Sequence, residues 1–190
     1  MRRSGIETSV DGLLVRSRLE ARWLRFLTLL EWPIEYEPID LNGYIPDFVI
    51  MGRRSLLVEV KPAFTYAECV DLALLKSVGA TRSCGRELLV VGASPFLEGD
   101  LQSEDRWEHS IAGVIFQRCD SPDGYSLSPD PARFVRCIVC DSIGVMQMAG
   151  SWDCYPCGHH GKHYLRGVDK DDLQPLWTTA RNSTRWKPAA

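Results

Sequence analysis

Across residues 17–30 the apolar positions recur with a helical period. Leu19, Trp23, Leu24, Phe26, Leu27 and Leu30 cover one broad face at ~100° per residue, and Arg18, Arg22 and Arg25 fall opposite. Ser17 is placed to cap this helix, Glu20 stands three residues on as in a capping box, and Trp32-Pro33 ends it. Glu20 breaks the pattern because it projects between Leu24 and Leu27, inside the apolar arc. Its side chain either closes the capping box or serves a buried role.

The period then shortens. Residues 34–37 alternate as a short strand stopped by Pro38, and Asn42-Gly43 signals a tight turn into a strand over 44–50. A third strand follows over 56–61 and is broken by Pro62. Residues 65–78 read as a second helix, and Leu88-Leu89-Val90-Val91 as a strand buried on both faces. The expected order is helix, three-stranded meander, helix, strand, which makes an α/β fold with a mixed sheet. Residues 1–14 read as a loose lead-in, 93–108 as an acidic loop, 111–116 as a further strand and 120–133 as a linker. Asp172 opens a short helix through Trp177, followed by a basic and aromatic tail. Three regions are thus expected: a core over 15–118, a cysteine module over 134–167, and a C-terminal helix and tail over 168–190.

Composition narrows the class. The chain has 190 residues, 45% hydrophobic and 25% charged, which suits a soluble globular protein with a real core. No apolar run approaches the ~18 residues that cross a bilayer, and no signal peptide is recognisable, so no membrane partner and a cytoplasmic location are expected. The net charge of −3 argues against coating of nucleic acid by bulk electrostatics. Its distribution is uneven: residues 1–26 and 162–190 each hold six Lys and Arg against three Asp and Glu. Basic ends around an acidic middle suit a metal-binding centre flanked by phosphate contacts, or simply solvated surface.

The third strand carries the chemistry. Alternation sends Leu57, Glu59 and Lys61 to one face and Leu56, Val58 and Val60 to the other. Two charges in an apolar strand are costly without partners, so they form either a structural ion pair or part of a site. Asp47, on the preceding strand, lies within cross-strand reach. Two converging carboxylates repel unless a cation sits between them, and oxygen ligands suit Mg²⁺ or Mn²⁺.

Pro46-Asp47, eleven residues, then Glu59-Val60-Lys61 resembles the signature of the PD-(D/E)XK nucleases, and the element order is similar to their restriction-endonuclease-like core. Ser17-Arg18-Leu19-Glu20-Ala21-Arg22-Trp23 with Tyr36-Glu37-Pro38 resembles phage and bacterial members in particular, with a layout shared by Holliday-junction resolvases and transposon endonuclease subunits. The resemblance covers residues 15–92. It implies a DNA endonuclease in which Asp47, Glu59 and the Val60 carbonyl bind Mg²⁺ or Mn²⁺, Lys61 orients the attacking water and Glu20 completes the site. The Gln-x-x-x-Tyr of RecB-like exonucleases is absent. The resemblance leaves open a homodimer, a larger nucleoprotein complex, and a catalytically silent binding module.

Seven cysteines include two Cys-x-x-Cys pairs: Cys137 and Cys140, then thirteen residues, then Cys154 and Cys157. This spacing predicts a structural Zn²⁺ site in a zinc-ribbon module, an iron–sulfur cluster being the rival. His159, His160 and His163 crowd its end, and Cys69, Cys84 and Cys119 read as buried thiols. Arg136, Lys162, His163 and Arg166 around the ribbon, with Arg185 and Lys187 in the tail, are the candidate nucleic-acid contacts.

Overall fold

Helices pack on both faces of one mixed sheet. The computed structural model describes residues 6–52, 55–75, 86–96, 110–121, 124–146 and 165–185. Helix α1 (Arg18–Leu29) forms as its periodicity predicts, with the Ser17 side chain accepting the Glu20 amide at its N-terminus. Strands β3 (Ile34–Tyr36), β4 (Phe48–Ile50) and β5 (Leu56–Val60) make the antiparallel meander. Helix α2 (Tyr66–Leu75) follows, and β6 (Glu87–Phe96) lies parallel to β5 with Glu59 opposite Val90. Strands β7 (Ile111–Ser121) and β8 (Gly124–Cys137) extend the sheet as a long antiparallel hairpin. The end of β8 is flanked by β9 (Ile143–Met146) and β10 (Leu165–Gly167), and helix α3 (Lys170–Ser183) closes the described chain. The sheet order is β10-β8-β7-β6-β5-β4-β3, with β9 also on β8.

The alternation of side chains divides the core cleanly. Phe48, Ile50, Leu56, Val58, Leu89 and Val91 face α1 and α3, while Val49, Leu57, Leu88 and Val90 face Cys69 and Ala73 of α2. The run over 88–91 is therefore apolar throughout because both its faces are covered. Trp23 is the hub of the first layer. It is fully buried, its ring centroid is 5.0 Å from that of Trp177, and its indole N–H donates to the Gly92 carbonyl at 2.8 Å. In β7 a bulge between Ile111 and Gly113 brings the backbone against β6. A Cβ on Gly113 would stand 2.0 Å from the Val90 carbonyl oxygen, so only glycine fits there.

Several expectations are corrected. Residues 1–14 are not all a loose lead-in: β1 (Thr8–Val10) and β2 (Leu13–Val15) form a hairpin whose turn puts Asp11 and Gly12 at φ 49° and 85°. That is the Asp-Gly turn chemistry that matches the twist of paired strands. The strand expected over 44–50 begins only at Phe48, because residues 41–44 close their own turn, with Leu41 and Tyr44 exchanging backbone hydrogen bonds. Asp47 accordingly sits just ahead of β4. Residues 93–96, read as loop, prolong β6. The linker expected over 120–133 is hairpin, with pairs running from Ser121↔Gly124 to Ile111↔Arg133. The final helix is also longer than expected, starting at Lys170 and continuing to Ser183.

Candidate active site

Glu20, Asp47 and Glu59 are three of the few charged groups buried in the fold, at 8, 5 and 7% exposure. They come from α1, the approach to β4, and β5. The β4–β5 register carries Asp47 toward the end of β5, where its Oδ2 accepts the Val60 amide at 2.7 Å. Lys61 continues the β5–β6 ladder, its amide donating to the Val91 carbonyl at 2.9 Å, and its ammonium donates to Glu59 Oε1. The hydroxyl of Tyr44 donates to the other Glu59 oxygen at 2.7 Å. Glu20 completes only half of a capping box: its amide reaches Ser17, but its carboxylate turns inward and accepts the Tyr36 hydroxyl at 2.9 Å. The sequence-predicted residues Glu20, Asp47, Glu59, Val60 and Lys61 thus meet in one place.

Arg16 was not among them, and it ties the cluster together. Its Nη2 donates to Asp47 Oδ1 at 2.8 Å, its Nε pairs with Glu37 Oε1 at 2.5 Å and stands 3.9 Å from Glu20 Oε2. Its backbone amide donates to the Tyr36 hydroxyl at 3.0 Å. Arg16 and Tyr44 are the site residues that sequence reasoning missed, and Tyr36 and Glu37 entered it through the resemblance without a role. One signal was available for Arg16, which precedes Glu20 by four residues and so reaches it across the Ser17 cap.

The electrostatics are unbalanced. Four carboxylates, Glu20, Glu37, Asp47 and Glu59, face two cations, Arg16 and Lys61. Burial, then the negative charge of Glu59 and Glu20, pushes the Asp47 carboxyl up to about 7 against the Val60 amide and Arg16, which favour its charged form. Burial, reinforced by Glu20, pushes Tyr36 up to about 12, so its hydroxyl keeps the proton it donates. Among the described residues no three His, Cys, Asp or Glu side chains are drawn into a group that encloses a cation in this arrangement. Both oxygens of Asp47 and of Glu59, and Oε2 of Glu20, accept from Arg16, Tyr36, Tyr44, Lys61 and the Val60 amide. The donor set nonetheless fits a hard divalent ion: it is all oxygen, buried, and carries more negative charge than its own cations offset. Release of Asp47 Oδ1 by Arg16 would open the position.

Elsewhere the candidates are partly in view. Cys137 is buried and Cys140 exposed, at either end of a turn. In that turn Asp141 adopts φ 62°, its amide donates to the Cys137 carbonyl at 2.9 Å, and the Cys137 amide donates to Ser142 at 2.9 Å. Cys154, Cys157, His159, His160, Lys162, His163 and Lys187 lie outside the described residues, as does Cys84. Cys69 is buried as expected, and burial pushes its thiol up to about 12. Arg136 is spent on the local fold, pairing with Asp141 at 3.2 Å and Asp172 at 3.4 Å. Arg166 is exposed but also pairs with Asp141, at 3.0 Å, and Arg185 is exposed at the end of α3.

No family model, no curated protein and no solved structure matches the chain, so the reading of this site rests on its own geometry.

Proposed function

We propose that the chain is a metal-dependent DNA endonuclease that hydrolyses phosphodiester bonds at the Glu20–Asp47–Glu59–Lys61 cluster. The observation that carries the reading is the burial of three carboxylates and one lysine at a single point on the β4–β5 edge, each fixed by hydrogen bonds. Asp47 and Glu59, with the Val60 carbonyl, would hold Mg²⁺ or Mn²⁺, and Glu20 would complete the site. The ion supplies a Lewis acid for the phosphoryl oxygen and lowers the pKa of bound water. The residues of the chain do the rest. Tyr44 and Lys61 hold the Glu59 carboxylate in one rotamer by bonding both its oxygens. Lys61, three-quarters buried, presents a fixed positive charge that would steady the attacking water and the charge growing on the phosphate. The β5–β6 ladder, continued through the Lys61 amide, keeps that charge in place.

The cysteine pairs belong to the same proposal as a structural Zn²⁺ site formed by Cys137, Cys140, Cys154 and Cys157. Cys137 ends β8, so a metal there would brace the far edge of the sheet and not the carboxylate cluster. DNA is the expected partner, and a homodimer or a larger nucleoprotein complex is compatible with this reading. No described helix is long and apolar enough to cross a membrane.

A second reading, a catalytically silent binding module, is favoured by one observation: the carboxylates already find partners within the chain. One experiment separates the two. Supercoiled plasmid, linear duplex and single-stranded DNA are incubated with Mg²⁺ or Mn²⁺ and the wild type, Asp47→Ala or Lys61→Ala. Metal-dependent nicking abolished by both substitutions in folded protein supports the nuclease. Absence of cleavage on every substrate assigns the cluster to structure.

A further inference from the structure

A second charged cluster lies on the same helix as Glu20. Arg18 and Arg22 stand one turn apart on α1, and Arg181 and Arg185 one turn apart at the end of α3. The two helices pack through Trp23 and Phe26 against Trp177, whose ring centroids lie 5.0 and 5.3 Å away. Arg22 sits at the seam, and Arg181, Arg18 and Arg185 all act on it as like charges. Its Nε is buried and has no hydrogen-bond partner. None of the four makes an ion pair among the described residues, whereas Arg16, Arg25, Arg136 and Arg166 each find a carboxylate. Like charges gathered without counter-ions destabilise a fold, and a buried guanidinium nitrogen without an acceptor costs more again. What such a surface lacks is a row of anionic oxygens.

We propose that Arg18, Arg22, Arg181 and Arg185 form a phosphate clamp that binds the backbone of a nucleic acid. Guanidinium forks match phosphate oxygens in pairs, and four of them on two adjoining helices span several consecutive phosphates. Spacing picks the ligand. Side chains four residues apart on one helix face stand about 5–6 Å apart, so Arg18 with Arg22, and Arg181 with Arg185, present forks in a row that a chain of phosphates fills. An isolated phosphate would engage one fork, and a membrane surface would be met by a broader basic face than two pairs of arginines make. The clamp reads no bases, so it is sequence-independent. Only the assignment of the bound nucleic acid as a substrate rests on the nuclease reading. The clamp itself does not.

The test is binding without cleavage. Fluorescently labelled duplex and single-stranded DNA are titrated in EDTA with wild type and with the R18Q/R22Q/R181Q/R185Q variant, over a range of salt. Glutamine keeps the stems and removes the charges. The variant is expected to lose at least tenfold in affinity at about 0.1 M salt. The slope of log affinity against log salt should fall by about 0.9 for each duplex phosphate that the variant no longer neutralises. Its melting temperature should hold or rise, since like-charge repulsion is removed; a pair of half-variants, R18Q/R22Q and R181Q/R185Q, gives the same reading if the fourfold one fails to fold. Unchanged affinity and slope overturn the clamp, as does a wild type that binds no nucleic acid, or one whose arginine-dependent binding is to anionic phosphatidylserine vesicles alone. Clamp-dependent binding with no metal-dependent cleavage would leave the clamp standing and remove the nuclease.

Discussion

Helix α1 serves two charged clusters that are built on opposite terms. In the first, Glu20 joins Asp47, Glu37 and Glu59, and every one of these carboxylates has a partner inside the chain: Arg16, Tyr36, Tyr44, Lys61 or the Val60 amide. In the second, Arg18 and Arg22 meet Arg181 and Arg185 with no carboxylate among them. Partnered charges are held in defined rotamers, which is what a reacting centre needs. Unpartnered charges are held only by their stems, which is what an adaptable contact surface needs. An excess of charge acquires meaning only against its counter-ions. The acidic cluster is short of positive charge and the basic one of negative charge, and their shortfalls point to different ligands.

The contrast breaks most completely if the helix itself is lost. Trp23→Ala removes the side chain that joins α1 to Trp177 and to the Gly92 carbonyl, and should destabilise the fold by about 3–5 kcal/mol in denaturant unfolding. Both clusters should fail together. Lys61→Ala leaves the arginine surface alone and should lower metal-dependent cleavage by roughly 10²–10³-fold, with nucleic-acid affinity in EDTA unchanged.

The first of these effects could be foreseen from the sequence, and so could much of the acidic site. A helical period with Ser17 at its start is a strong local signal, and Glu20 stood out because it occupied an apolar position. Asp47 and Lys61 were reached through strand alternation and a motif. Arg16 was not, because its role depends on the β1–β2 hairpin ahead of α1, and that hairpin hinges on Asp11-Gly12, a turn signal passed over within a polar segment. The β7–β8 hairpin was hidden by Pro129 and Pro131. Two residues apart, they direct their missing N–H groups to one edge of β8, so the strand still pairs along the other edge with β7. The arginine surface was half visible: α1 placed Arg18 and Arg22 on one side, but only tertiary packing brings α3 against them.

Smaller effects sharpen the comparison. The Asp47 carboxyl sits at about 7 in the fold against an ordinary 3.8, so the folded metal-free protein binds a proton that the unfolded chain has already released. Stability from this group is therefore complete below the unfolded value and is lost as pH rises toward 7. Between pH 6 and 8 the metal-free protein should lose roughly 1 kcal/mol, and Asp47→Asn should flatten that slope in thermal melts. Tyr36→Phe should cost about 1 kcal/mol, since the Glu20 carboxylate loses one donor while the ring stays packed on Phe48.

The most direct test of the account is a Mn²⁺ titration of the DNA-free protein, followed by electron paramagnetic resonance. The carboxylate cluster should bind one tight ion per chain, lost in an Asp47→Ala/Glu59→Ala variant. Binding should also be about tenfold tighter in Arg16→Ala, because the ion no longer displaces a guanidinium from Asp47 Oδ1. Mn²⁺ binding that is absent from the wild type and from Arg16→Ala alike, or that survives loss of both carboxylates, would contradict this account.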